Sequence, residues 1–509
     1  MTPSTWLPDP SHYPEQMTPL SATTWFEAVG RGLHDAMREL GGPFGGFEAR
    51  TELGWAYEGE LPTEWEHDPE AFRAAALGLA DRWDRDLRPR CHAISDEIHT
   101  LRPDRPPPAE AVGVLDHLWD LVREQWTIHF LVVIPAQVAV ELFHDAYREA
   151  LGDEDPLAPY RLLDGVPNET NEADAELWSL ALRARQLGVD DLITELLTDA
   201  ALQRLSEVRQ GRRFVDDLRR YLDRFGGRSR WHEVSLPREA ESPEMTFESL
   251  RLLLEAGRPP LLAAAQDAPS RERDILAAAP ALRELVDAAK VGYALKESHA
   301  YHIDYPGLLA LRETMLGFGR RLASEGRLRD RDDVWMLRRE ELRAAIDERW
   351  HADRIAGVVT ERRAELAAGR REGPQPYLGE EPPPVERHAV LAKFYGTPSS
   401  VAANGEVVGI GASPGSARGP ARVVAAAQDF ARVQPGDVLV TTTTTPAWTP
   451  LFPSISALVT ETGGVLSHAA IVAREYGVPA VVGADGATHL LPDGAIVEVD
   501  GTTGRVRVL

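Results

Sequence analysis

Apolar residues recur at helical spacing through most of the first 372 positions. Trp25, Phe26, Val29, Leu33 and Met37 share one face of a 3.6-residue repeat and predict a helix over Thr23 to Leu40, closed by the loop Gly41 to Gly46. Pro69 to His99 is helical again, with Trp83 and Leu87 at i and i+4 and an interruption expected at Pro89. Leu115, Leu118, Trp119, Val122, Trp126 and Phe130 predict one or two long helices over Ala109 to Leu151, with Pro135 expected to kink or break them. Pro167 to Arg185, Val189 to Leu222, Thr246 to Ala256, Ser270 to Arg320 and Asp353 to Arg371 continue the helical character, with a break at Tyr221 to Pro237. Val334 to Leu337 reads as a short extended piece before a helix that starts near Arg338.

Past Gly405 the pattern changes. Short β-branched runs appear at Ala421 to Val424, Asp437 to Val440, Ala457 to Thr460, Ala480 to Val482, Ile496 to Val499 and Val506 to Leu509, separated by Gly, Pro and Asp turns. That alternation predicts an α/β layer domain. Gly373 to Pro384 is rich in Pro and Gly and reads as the start of a linker. The expected organisation is a helical region over 1–372, a linker over 373–404 and an α/β domain over 405–509.

Composition narrows the function classes. The formal net charge is −25, which disfavours nucleic acid and anionic membrane as partners. From Gly405 onward six Arg and no Lys stand against nine Asp plus Glu, a net of −3, so −22 falls on the preceding residues. No run of 18 apolar residues occurs, so no membrane span is expected. The start of the sequence lacks the basic-then-apolar pattern of a secretory signal, and Cys91 is the single cysteine, which fits a reducing cytoplasm.

The candidate chemistry lies in Thr462 to Pro479, TGGVLSHAAIVAREYGVP. Ser467 is a good N-cap, which puts His468 in the first turn of a short helix stopped by Gly477 and Pro479. Free N–H groups and the helix dipole favour an anion there. A neutral imidazole, with an ordinary pKa of about 6.5, is a competent nucleophile near neutrality. A histidine so placed can take a phosphoryl group, and Gly463 and Gly464 permit close backbone approach to it. The same spacing also describes a capping turn with an incidental histidine.

The segment TGGVLSHAAIVAREYGVPAVVG resembles the phosphohistidine segment of the swivelling domain in phosphoenolpyruvate-utilising enzymes, a family that includes the dikinases, rifampin phosphotransferases and phenylphosphate synthase. The resemblance extends upstream through GIGASPGSARGPARVV from Gly409 and TTTTTPAWTPLF from Thr441, and downstream through Asp493-Gly and Asp500-Gly-Thr-Thr-Gly. It implies a mostly α-helical N-terminal body plus a C-terminal α/β (β/β/α) swivelling phosphohistidine domain. It also implies that an exposed His468 carries the phosphoryl group and that Thr462, Gly463, Gly464, Ser467 and Arg474 line the phosphate. Leu466 stands where the dikinase branch has a regulatory threonine, so that regulation is not expected. ETNEADAELW, FGGRSRWHEVSLP and GRLRDRDDVWML resemble, in the same order, the helical substrate-binding region of rifampin phosphotransferases.

Relatives that load this histidine from ATP use an ATP-grasp domain, and those that use phosphoenolpyruvate carry a barrel with a catalytic cysteine. Neither pattern is found here, and no GxxxxGK[ST] loop occurs. The expectation is that a separate ATP-grasp partner, with its ATP and Mg²⁺, phosphorylates His468, that this chain binds no cofactor itself, and that a small-molecule hydroxyl is the acceptor. His129, His299, His302, Glu297 and Asp304 are candidate bases for that hydroxyl, and His129, His299, His302 and Asp304 candidate acceptor contacts. His117, His129 and His144 share one helical stretch; each could face a ligand cavity, though a histidine there is more often structural. His299 and His302, with Asp304 beyond, offer two imidazoles and no clear third ligand, so no metal is expected. Two other readings stay open: a dehydratase or condensation enzyme with a transient phosphate ester, and a scaffold that keeps a relic swivelling domain.

Overall fold

The structure is a computed structural model that describes residues 3–10, 12–104, 106–152, 155, 157–229, 233–257, 268–381, 406–424 and 432–509. Residues 382–404 of the expected linker lie outside it. The chain divides into two compact units that do not follow chain order: Met1–Ala136, Trp231–Pro237 and His299–Val385 form one, and Gln137–Arg230, Arg238–Ser298 and Glu386–Leu509 the other.

The first unit is helical around a small antiparallel sheet in the order β2-β3-β1-β4: β1 Thr5–Pro8, β2 Phe47–Glu52, β3 Trp55–Glu60 and β4 Leu378–Gly379. None of these strands is expected from the sequence. The β2–β3 hairpin turns on Leu53 and Gly54, both in the left-handed region (φ 50° and 87°), as a two-residue turn between twisted strands demands. β4 falls in the segment read as linker and pairs with Thr5 and Trp6. The helix expected at Thr23 is present as Glu27–Leu40, preceded by a π-helical turn at Ala22–Phe26, and ends on left-handed Gly41.

Three local expectations are refined. Pro89 does not end the helical run: it lies at the start of Arg88–Thr100, directly after a π-helical turn at Trp83–Leu87, and that turn is where the regular α-helix is interrupted. Pro135 does not break its helix, which runs unbroken over Pro108–Leu151. Leu131, Val132, Ile134, Ala136, Ala139 and Val140 are all buried around it, and packing of that kind overrides local propensity. This helix is long and apolar enough to cross a membrane, but 72% of its apolar stretch is buried inside the protein. Val334-Trp-Met-Leu is not extended; Arg331–Met336 is a 3₁₀ helix held by a capping box between Asp330 and Asp333.

The second unit joins helices to an eight-stranded mixed sheet in the order β5-β12-β11-β7-β8-β9-β10-β6. Its strands are β5 Val407–Val408, β6 Ile410–Ser413, β7 Ser416–Val423, β8 Val438–Thr441, β9 Ala457–Thr460, β10 Ala480–Val482, β11 Ile496–Asp500 and β12 Arg505–Val508. β7, β8, β9 and β10 run parallel to their neighbours in that stretch. β8, β9 and β10 are buried on both faces, as their unbroken β-branched runs imply. The helical part includes Glu169–Leu187, capped by the Asn168 side chain on Asn171 N–H, and Arg283–His299. One apolar core joins Phe143, Tyr160, Leu163, Val286 and Tyr293 to Leu466 and Ile471, so the His468 helix is packed against helices of its own unit. A helical body with a sheet-rich C-terminal domain is the architecture the sequence implied.

Candidate functional site

The loop after β9 is built by short-range hydrogen bonds. Thr462 donates both its N–H (3.1 Å) and its hydroxyl (2.9 Å) to the carbonyl of Thr442. Gly463 follows at φ 102°, and a Cβ there would stand 2.8 Å from Ser467 Oγ, so only glycine fits. Ser467 donates its N–H to the Gly464 carbonyl (3.0 Å) and caps the helix by accepting from Ala470 N–H (3.4 Å). His468 is therefore the first residue of the His468–Tyr476 helix, which ends on left-handed Gly477.

The expectation of an exposed His468 is corrected. The side chain is 11% exposed, and its Nδ1 lies 2.9 Å from Oε2 of Glu297, which is itself buried. Its Nε2 lies 3.5 Å from the hydroxyl of Thr449. A carboxylate only accepts, so Nδ1 carries the proton and donates it to Glu297. That fixes the tautomer and leaves the lone pair on Nε2.

A second layer of acids surrounds this pair. Thr170 donates to Glu297 (3.4 Å), Asn171 to Glu475 (3.3 Å) and Tyr476 to Asp174 (2.6 Å). Burial pushes Asp174 up to about 6, with the Tyr476 hydrogen bond and the charges of Arg228 and His468 opposing. Glu475 is raised well above the usual carboxylate range by burial and by the like charge of Glu297. Lys296 is lowered by burial, with Glu297 opposing.

Of the expected phosphate-site residues, Thr462, Gly463, Gly464 and Ser467 share the loop that leads into His468. Arg474 does not join them. Its guanidinium is buried, donates to the carbonyls of Ala412 (3.1 Å) and Val465 (2.8 Å), and lies 3.7 Å from Asp164. Six residues after His468, it is nearly two turns further along the helix and ties that helix to its surroundings. Of the expected acceptor residues, His129, His299 and Asp304 come together in the other unit, while His302 packs against Trp83 and His92. Glu297 was legible only as one of five candidate bases; nothing in its local pattern pairs it with His468, 171 positions away. A signal existed, however. Thr170, Asn171 and Asp174 all come from the ETNEADAELW segment, and Thr449 comes from TTTTTPAWTPLF.

Comparison with known proteins agrees with this geometry. Residues 433–504 match the mobile domain of PEP-utilising enzymes, and residues 129–303 match the fourth domain of rifampicin phosphotransferase. A segment of the chondramide synthase of Chondromyces crocatus is 32% identical over 99% of this chain. An uncharacterized phosphotransferase of Bacillus subtilis is 30% identical over 75% of it, and a rifampicin phosphotransferase of a Streptomyces species is 29% identical over 96%. The chain spans 14%, 47% and 56% of those relatives' own lengths. The first region holds His468 and the second holds Glu297, so the buried pair is made between the two matched regions. The chain thus carries a PEP-utilising enzyme mobile domain together with a rifampicin phosphotransferase fourth domain.

Proposed function

We propose that this chain is the phosphohistidine and acceptor-binding part of a small-molecule phosphotransferase, with Nε2 of His468 as the atom that carries the phosphoryl group. The observation that carries this reading is the 2.9 Å contact of His468 Nδ1 with buried Glu297, which leaves the Nε2 lone pair free to attack. In the loading step Nε2 forms a bond to phosphorus as the phosphorus–oxygen bond of the donor breaks. The ring keeps its Nδ1 proton and becomes cationic, and Glu297 balances that charge. In the second step an acceptor hydroxyl attacks phosphorus in line, the N–P electron pair returns to Nε2, and the hydroxyl proton leaves to a base or water on the acceptor's side, so that His468 regains its neutral Nδ1–H form. Positioning and charge stabilisation dominate such transfers.

The phosphoryl donor, by resemblance, is ATP held with Mg²⁺ on an ATP-grasp module outside these 509 residues, in keeping with rifampicin phosphotransferases among the relatives. A second reading has one observation in its favour. The match that covers 99% of the chain is to part of a synthase, which suits a phosphate ester formed transiently during a condensation or loss of water.

The test is labelling of the purified chain with β- and γ-labelled ATP, with and without an ATP-grasp protein. Acid-labile label on the intact chain that disappears in His468→Ala is the expected result. Label that survives in His468→Ala overturns the assignment. A stable phosphorylated product separates the phosphotransferase from the transient-ester reading.

A further inference from the structure

His129, His299 and Asp304 form the one group of three such metal-binding side chains among the described residues, and the chemistry at His468 does not use them. All three belong to the first unit. His299 precedes a π-helical turn, Ala300–Asp304, and Asp304 ends it; Tyr305 N–H reaches back five residues to the Ala300 carbonyl. In an α-helix each residue turns about 100°, so two side chains five apart would diverge by about 140°. The wider turn narrows that divergence, and both side chains reach the His129 ring or its Nδ1. Buried Gln125 supports the turn by donating its amide to the Ile303 carbonyl at 2.6 Å.

The ligand atoms lie close enough to share an ion. His129 Nδ1 is 2.7 Å from Asp304 Oδ1, and His299 Nε2 is 3.5 Å from Asp304 Oδ2. All the ligand atoms fall within 4.8 Å of one another. Ligands about 2.1 Å from a common ion stand roughly 3.0 to 3.4 Å apart in octahedral or tetrahedral geometry, and the observed spacings bracket that range. The three side chains are 12%, 15% and 3% exposed. The two imidazoles meet edge to face, ring centres 4.9 Å apart, and Trp126 packs on His129. Beside Asp304 lies a cavity of about 10 Å³, lined by Gln125, Trp126 and Gly307, which is the volume of about one water. Asp304 presents one carboxylate oxygen to each imidazole, which is the disposition of two histidines and a carboxylate around a shared ion.

We propose that His129, His299 and Asp304 bind a divalent first-row transition ion, with Zn²⁺ the best fit. Two imidazoles and one carboxylate suit that ion and leave its fourth position for a water. The sequence offers His299 and Asp304 without a third ligand because His129 is 170 positions away, and His302, the apparent partner, points to Trp83 and His92.

The experiment uses the full chain stripped with EDTA and titrated with ZnCl₂ by calorimetry, and with CoCl₂ for its visible absorption. The expected result is one Zn²⁺ per chain and a cobalt spectrum of four- or five-coordinate nitrogen and oxygen ligation. Removing a partner that only orients a metal ligand typically costs 10–100-fold in affinity, so removing a ligand costs at least about 100-fold. His129→Gln, His299→Gln and Asp304→Asn should each reach that loss, with metal-free circular dichroism unchanged, while His302→Gln retains full affinity. Failure of the stripped wild-type chain to bind Zn²⁺ or Co²⁺ stoichiometrically overturns the proposal. So does binding that persists in the His129→Gln, His299→Gln double variant.

Discussion

Two histidines in this chain hold a buried carboxylate by Nδ1, and their surroundings differ. His468 contacts Glu297 at 2.9 Å from the first turn of a nine-residue helix, with Nε2 turned to a threonine hydroxyl. His129 contacts Asp304 at 2.7 Å from the middle of a 44-residue helix, with a second imidazole on the same carboxylate. The first arrangement belongs to a residue at a helix N-terminus, where an anion is favoured. The second gathers two imidazoles on one carboxylate, where a cation can replace the protons that now hold these atoms together. The same pair of side chains therefore supports opposite chemistry, and the backbone around it decides which.

The largest expected effect separates the two directly. Glu297→Gln keeps an oxygen that can accept the Nδ1 proton but removes the charge opposite the ring. Groups that orient and polarise an imidazole typically contribute 10–100-fold, so histidine phosphorylation should slow by about that factor, read by initial rates of labelling. An unchanged rate would mean that Glu297 only fills space beneath His468.

Much of this second unit is legible from the sequence, and much of the first is not. The strands after Gly405 carry long β-branched runs because they are buried on both faces, and Ser467, His468 and Gly477 mark a helix by local rules alone. Glu297 and Asp304 gain their roles only when segments more than 170 positions apart meet, which no local period encodes. The N-terminal hairpin escaped because its turn is Leu53-Gly54 rather than Asn-Gly. A leucine at φ 50° is uncommon and hides the usual turn signal. At Pro135 the break does not occur for the opposite reason: the local rule is strong, but a buried helix can absorb the lost hydrogen bond.

The next effect concerns the acids that distinguish His468 from His129. Asp174 has a folded pKa of about 6 against an ordinary value of 3.8. Below pH 3.8 it is protonated folded and unfolded alike and costs nothing. Above that the unfolded chain ionises first, so stability falls as pH rises through about 6 and stays lower beyond it. Asp174→Asn removes this penalty. It should stabilise the chain by on the order of 2–3 kcal/mol at pH 7.5 and by almost nothing at pH 3.5, read by urea unfolding at both values. Equal gains at both pH values would show that the carboxylate is not strained by burial.

Gly463→Ala should come third. At φ 102° an alanine is strained, and its Cβ would press on the Ser467 side chain. A cost of about 1–3 kcal/mol is expected in the same unfolding measurement, with a slower labelling rate because the loop that delivers His468 must shift.

Ser467→Ala should be the smallest, and it tests what aims His468. An N-cap side chain typically contributes about 0.5–2 kcal/mol, and the 3.4 Å length of this bond places it at the low end. The rest of the helix is held independently: Ala469 to Glu475 are buried, and Gly477 closes the far end on the Ala473 and Arg474 carbonyls. Loss of the cap alone should therefore cost about 0.5 kcal/mol and leave the labelling rate within about threefold, because Glu297 still holds the ring. If Ser467→Ala instead matches Gly463→Ala in both measurements, the cap rather than the buried face and the carboxylate positions the nucleophile. The contrast with His129, whose helix has no end nearby, would then lie in the helix terminus itself.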